Sequence, residues 1–276
     1  AASPTEPLPV EAPTGTTEAA VPEDARVRAP SQVGYAMRMF TQSDTGGFYP
    51  VNRMHSIRSH LYPFGSDRKP LGIGIEASLL ERDQGTQMGP LGLSARMRLW
   101  SARGFDVAAW GSLALNMLSP DELRNSPIGR DVVTVGLSMR KDTAWMYFEN
   151  LLGLSFGGES KQKIGLVDYT HEFGNVVTAT VRAGARIWKL QAGGVAEVHL
   201  ADSYRLKGGA FDFDSGRYRI ISGGPEVAFV TQEFSVEVNG RFLLDSTQDA
   251  NFDYLGNILG AGVAQGSVGA SVSFFF

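Results

Sequence analysis

The chain carries four histidines and no cysteine, so any acid–base or metal chemistry has to run through imidazoles and carboxylates. The nearest approach to a catalytic pair is Glu197 and His199. Two apart on an extended segment, they project to the same side, where a carboxylate orients an imidazole. The same spacing serves a hydrogen-bonded pair in a charged interior, and that is the reading adopted. His55 and His60 stand beside Ser56 and Ser59, but no converging ligands are visible in sequence, so no metal is expected. Phe211-Asp212-Phe213-Asp214-Ser215-Gly216 imitates the start of a calcium loop, yet it lacks the third acidic ligand and the distal glutamate of an EF-hand. It reads as a solvated turn. Gly72-Ile73-Gly74 lies inside an extended run and precedes no helix, which removes nucleotide binding and leaves no cofactor expected.

The elements that must position these groups are strands. No stretch approaches the roughly 18 consecutive apolar residues of a membrane-spanning helix. Period-two alternation with short turns runs instead from Val33 to the end. It predicts strands near 33–42, 53–63, 70–81, 90–101, 104–118, 130–140, 143–155, 175–188, 190–201, 217–230, 233–245 and 266–276. Short links (65–69, 102–103, 141–142, 188–189, 231–232) alternate with longer ones (43–52, 82–89, 119–129, 156–175, 201–216, 246–265). Barrels that cross a membrane join their strands in this way. Lys163 to Glu172 stays open as a hairpin inside the barrel, a strand extension above the membrane or a small helix. The fold class is therefore all-β, an up-and-down antiparallel transmembrane barrel of about 12 strands, with 14 as the alternative. A change of apolar parity across Gly223-Gly224-Pro225 predicts a β-bulge there.

The two faces of these strands differ in charge. Leu91, Leu93, Ala95, Met97 and Leu99 alternate with Gly92, Ser94, Arg96 and Arg98, and the runs at 177–187 and 234–244 repeat the pattern. A Lys or Arg facing lipid near the midplane costs about 2 to 4 kcal/mol, so the polar parity is assigned to a lumen. Arg38, Arg58, Arg96, Arg98, Arg140, Arg182, Arg186 and Arg241 then face Glu76, Asp106, Glu149, Glu197, His199 and Glu237. This mixed wall allows two readings, side chains that pair across and plug a narrow lumen, or a thin aqueous channel favouring anions. Tyr62, Phe64, Trp100, Phe105, Trp145, Trp188, Phe229, Phe234 and Phe274 cluster at the short-link end, as an interfacial girdle requires. Trp100, Trp145 and Trp188 have lumen parity, so either the strands end before them or they close the bottom of the lumen.

Residues 1–32 are different in kind. They hold prolines 4, 7, 9, 13, 22 and 30, scattered acids and few large apolar side chains, which marks an extended tail without a core of its own. An even strand number puts this tail and the C-terminus on the short-link side, the periplasm. The chain opens on Ala-Ala-Ser, and we expect a secretory signal to have been removed. Its net charge of -4 and pI near 5.6 give no reason to expect nucleic acid. Gly is abundant at 33 residues, and the mean hydropathy of -0.09 is that of an ordinary soluble chain.

At the end of the chain Val268, Ala270, Val272, Phe274 and the terminal Phe276 alternate with Gly269, Ser271, Ser273 and Phe275. This resembles the terminal strand of bacterial outer-membrane β-barrel proteins. The resemblance implies an address in the outer membrane, contact with its lipid, and reading of Val272, Phe274 and Phe276 by the barrel-assembly machinery. It names no subfamily. The His-x-Ser element of the outer-membrane phospholipase and the Asp-x-His element of omptin-like proteases are missing, because Ser56 directly follows His55 and His60 directly follows Ser59. The expected function is accordingly a non-catalytic barrel that anchors an envelope assembly, its tail docking a periplasmic or outer-membrane partner. A narrow, weakly anion-favouring pore is the alternative, and a lipid-acting enzyme using His199 comes last.

Overall fold

The computed structural model describes residues 31–41, 53–66, 69–82, 85–102, 105–115, 117, 131–143, 145–164, 166–214, 216–231, 233–246 and 266–276. The expected tail, apart from Ser31 and Gln32, and the long links at 43–52, 119–129 and 247–265 lie outside the described residues. The strands are β1 (Gln32–Thr41), β2 (Arg53–Ser66), β3 (Lys69–Arg82), β4 (Gly85–Ala102), β5 (Phe105–Leu115), β6 (Val132–Asp142), β7 (Met146–Ser155) and β8 (Gly158–Ile164). They continue with β9 (Val167–Phe173), β10 (Val176–Ile187), β11 (Leu190–Ala201), β12 (Tyr204–Gly208), β13 (Phe211–Asp214), β14 (Tyr218–Val230), β15 (Phe234–Ser246) and β16 (Gly266–Phe275). Twelve of them close a barrel in the order β1-β16-β15-β14-β11-β10-β7-β6-β5-β4-β3-β2. Closure runs over the full length of the first and last strands, from Gln32 opposite Phe275 to Thr41 opposite Gly266.

The four remaining strands settle the question left at Lys163 to Glu172. β8 and β9 form a hairpin, β12 and β13 a second one, and β9 pairs with β12 in a separate four-stranded sheet of order β13-β12-β9-β8. The barrel therefore has twelve strands and not fourteen. This ribbon stands beyond the long-link ends of β7, β10, β11 and β14 and is laced by ion pairs, Arg205 to Asp214 exposed and Lys207 to Glu172 half-buried, both at 2.7 Å. The links at 156–175 and 201–216 are thus mostly strand. At 82–89 the strands simply continue, since β3 reaches Arg82 and β4 begins at Gly85.

Burial is inverted relative to a soluble protein. Ser56, Arg96, Asp106, Ser138, Arg140, Glu149, Arg182, Glu226 and Glu237 are each 6% exposed or less, whereas Ile57, Ile75, Leu137, Leu152, Val238 and Phe242 are 48% exposed or more. An apolar outer wall around a polar interior is what lipid demands of a barrel. The interior ends in an apolar collar, because Leu80, Val176, Ala201, Tyr218 and Ile220 are buried near the long-link ends of their strands.

That collar corrects the bulge expected in β14. The strand runs through Gly223-Gly224-Pro225 without a register shift against β11, and its even-numbered residues face inward on both sides. Tyr218 and Ile220 are apolar because they belong to the collar, so the sequence changes chemistry while the backbone keeps its phase. The irregularity lies in the partner, where the register moves between Ile221 and Ser222 and Leu244 of β15 is skipped.

A second bulge explains the tryptophans. Between Arg98 and Trp100 the β4–β5 register slips by one, pairing Trp100 with outward-facing Val107. Trp100 is 52% exposed and packs on Phe105 at 5.7 Å between ring centres. Trp145 precedes β7, and Trp188 occupies a two-residue turn with φ of 54° and its ring 6.3 Å from Phe229. All three are turned outward rather than closing the lumen.

A Leu137→Arg substitution, which puts a charge on the exposed apolar face of β6, is expected to cost about 2 to 4 kcal/mol in chemical unfolding from lipid vesicles. A second expectation concerns Asp214, whose carboxylate accepts from the Gly216 amide at 2.8 Å and from Arg205. The Gly216 amide first, and Arg205 next, hold its pKa below the usual 3.8. A depressed carboxylate contributes stability above its unfolded value and loses it as pH falls through the folded one. Amide exchange at Gly216 should therefore stay protected down to about pH 4 and rise only below it.

Candidate functional site

The candidate site is the lumen wall, and its geometry follows from the register. Asp106, Arg140, Glu149 and Arg182 stand directly opposite one another on β5, β6, β7 and β10, alternating in sign. Cross-strand pairs of opposite charge favour the register that makes them. Arg182 also reaches past β11. Its Nε donates to Glu226 Oε1 and Oε2 at 3.2 and 3.1 Å and its Nη2 to Oε2 at 2.9 Å, while Glu149 lies 3.7 Å from Nη1. A guanidinium held on both edges at 3% exposure is compensated rather than stranded.

Glycines make this reach possible. Tyr147, Gly184, Gly193 and Glu226 form one row across β7, β10, β11 and β14. The phenol lies along the row, and its hydroxyl donates to Glu226 Oε1 at 2.6 Å. A Cβ at either Gly184 or Gly193 would come within 2.7 Å of that hydroxyl oxygen. The same device recurs at Trp110, whose ring covers Gly136 and Gly153 of the next two strands. The space left among Tyr147, Arg182, Gln191, Glu226 and Glu237 amounts to about 10 Å³, the room of one water.

The other residues singled out in sequence fall on the same wall. Arg241 is buried and donates to its own Gly240 carbonyl at 2.9 Å. Arg38 contacts Asn239 Oδ1 at 3.5 Å, and Asn239 Nδ2 donates to Glu237 at 2.9 Å. Arg58 faces Glu76 in register, Arg186 faces Gln191, and Arg98 is half-buried opposite Ala108. His199 Nε2 and Glu197 Oε1 are 2.5 Å apart, Thr178 bonds His199 Nδ1 at 2.9 Å, and Thr180 donates to Glu197 at 3.1 Å. Both imidazole nitrogens are engaged, so Thr178 and Glu197 fix the orientation of the ring within the wall. Phe274 and Phe276 are exposed on the outer wall, Val272 is half-buried, and the Phe276 amide donates to Ser31 across the barrel closure at 2.9 Å.

The two early histidines separate. His60 points inward at 5% exposure. His55 lies on the outer face, where Tyr35 Oη meets its Nδ1 at 2.6 Å and Glu81 its Nε2 at 3.2 Å. Sequence reasoning missed Glu226, Tyr147 and Trp110. The parity change in β14 hid Glu226, although its even position among the later β14 residues carried the signal. The aromatic pair was detectable only by aligning Gly184 with Gly193 and Gly136 with Gly153, which requires the register.

Tyr147→Phe is expected to lower unfolding stability by about 1.5 to 3 kcal/mol, the range for a hydrogen bond to a charged group. Glu226→Ala should cost about 3 to 5 kcal/mol by removing the hydrogen-bonded carboxylate partner of the buried Arg182. Equal, negligible costs in vesicle unfolding curves would contradict the network.

No family model matches the chain, and no curated protein does. Solved structures do. An outer-membrane channel from Pseudomonas putida F1 superposes with a TM-score of 0.68 over 94% of this chain and all of that one, at 10% identity. The NanC porin superposes with a TM-score of 0.53 over 89% of this chain and all of its own, at 11% identity. With its twelve-stranded closure, inward charges and aromatic short-turn rim, the chain has the fold of the bacterial outer-membrane β-barrel proteins.

Proposed function

We propose that the protein spans the bacterial outer membrane as a narrow channel with a preference for small anions, its N-terminal tail and C-terminus on the periplasmic side. The observation that carries this is the charge of the lumen. The inward arginines 38, 58, 96, 98, 140, 182, 186 and 241 outnumber the carboxylates 76, 106, 149, 197, 226 and 237. They are also unevenly placed. The alternating row runs across β5, β6, β7 and β10, whereas Arg38 lies within electrostatic reach of Arg58 and Arg241 as well as of Glu197 and Glu237. A low-dielectric wall focuses that excess on the aqueous path. The likeness in fold to a channel and a porin supports the same reading.

A second reading rests on the closeness of the packing around Arg182 and Glu226. In it the barrel is sealed by its own side chains and serves as an anchor, with residues 1–32 docking a periplasmic or outer-membrane partner. Planar-bilayer recording separates the two. The channel reading expects small steps with a reversal potential displaced toward chloride in a KCl gradient. Replacing Arg38 and Arg241 by Ala should lower the chloride-to-potassium permeability ratio by roughly twofold or more. A folded barrel that never conducts would overturn the channel and leave the anchor.

A further inference from the structure

The ribbon above the barrel continues the barrel wall in unbroken register. Val176 stands opposite Ala201, and Phe173 opposite Tyr204 three residues further along each strand. Between them Gly174 N donates to the Ser203 carbonyl at 3.0 Å and Asp202 N to that of Asn175 at 2.9 Å. The β7–β10 ladder passes into β8–β9 in the same way, and the β11–β14 ladder into β12–β13. Side chains alternate along such a ladder. The face of the ribbon that holds Glu172, Arg205, Lys207 and Asp214 is therefore the lumen face prolonged, and the opposite face prolongs the wall that meets lipid.

Along that outer face the chemistry changes in layers. Leu152, Val177, Leu200 and Val227 are exposed and apolar, as hydrocarbon requires. Charges come next. Arg219 pairs with Asp245, while Arg217, with its side chain 88% exposed, lies 3.7 Å from Asp202. Beyond the charges the register brings positions Tyr204, Phe211 and Phe213 to the same face as Tyr169, whose ring lies over Gly208 of the neighbouring strand. Hydrocarbon, then charge, then ring face is the order of a lipid whose acyl chains carry a phosphate and then a saccharide. The guanidinium fork suits phosphate, and the electron-rich face of an aromatic ring takes the C–H bonds of a sugar.

We infer that the outer face of the β7–β14 sector docks an anionic glycolipid of the outer leaflet, its phosphate at Arg217 and its sugar against the ribbon around Tyr169. This surface is separate from the lumen and does not depend on whether the barrel conducts. It rests only on the orientation proposed above, with the long links outside the cell.

The chain has no cysteine, so single cysteines can be introduced into the full chain and spin-labelled. Val167→Cys and Gln162→Cys report on the outer face of the ribbon, and Lys161→Cys reports on the charged face. Access of a water-soluble paramagnetic relaxant is measured in vesicles of phosphatidylcholine alone, with phosphatidylglycerol, and with lipopolysaccharide. The outer labels are expected to lose most of their access only with lipopolysaccharide, while the label at position 161 keeps its own. Tyr169→Ser should abolish that loss. Arg217→Ala should raise the lipopolysaccharide fraction needed for half of it about fivefold, the share of one arginine near an anionic lipid surface. Should one outer reporter fail to fold, the other carries the comparison. Unchanged access at both outer positions, an equal loss at position 161, or titrations untouched by both substitutions would overturn the docking face. So would shielding in phosphatidylcholine alone, which assigns the cover to the chain itself or a second copy, and shielding by phosphatidylglycerol, for which no sugar is needed.

Discussion

Everything in this molecule depends on a constraint of the bilayer: backbone N–H and C=O groups in hydrocarbon have no water to bond and must bond to one another. A sheet meets that demand only by closing on itself. Here the closing pair is β1 with β16, from Gln32 opposite Phe275 to Thr41 opposite Gly266. Once the ring is shut, each strand has one face toward lipid and one toward the lumen, and a charge is affordable on only one of them. The inward arginines and glutamates are thus a consequence of closure before they are a functional device.

The interior is ordered by register rather than by a packed apolar core. Side chains long enough to cross a neighbouring strand do so where that strand offers glycine, as Tyr147 does over Gly184 and Gly193 and Trp110 over Gly136 and Gly153. The same gap lets Arg182 meet Glu226 two strands away. The abundant glycine of the chain is in this respect a feature of the lumen, where it sets how far a charge or a ring reaches around the wall.

The irregularities also have assignable causes. One extra residue before Trp100 turns an indole from lumen parity to the outer rim, where an amphipathic ring is favoured. The skipped Leu244 lies beside the collar end of β14, where inward positions become apolar. Beyond the rim, the β8–β9 and β12–β13 hairpins pair with each other instead of joining the barrel, which keeps its strand number at twelve.

Strand number, the two faces and most of the charged lumen were legible in the sequence, because period-two alternation and link length are local properties that lipid enforces residue by residue. Arg96, Arg182, Glu149 and Glu237 could be placed inside from parity alone. Their partners could not. Which carboxylate meets Arg182, why Glu226 outranks Glu149, and that His55 and His60 lie on opposite sides of the wall all depend on register and bulges, which set pairing between strands distant in the chain. The sequence by itself determined a membrane barrel with charges within, whereas only the tertiary structure decided which of those charges meet across the strands.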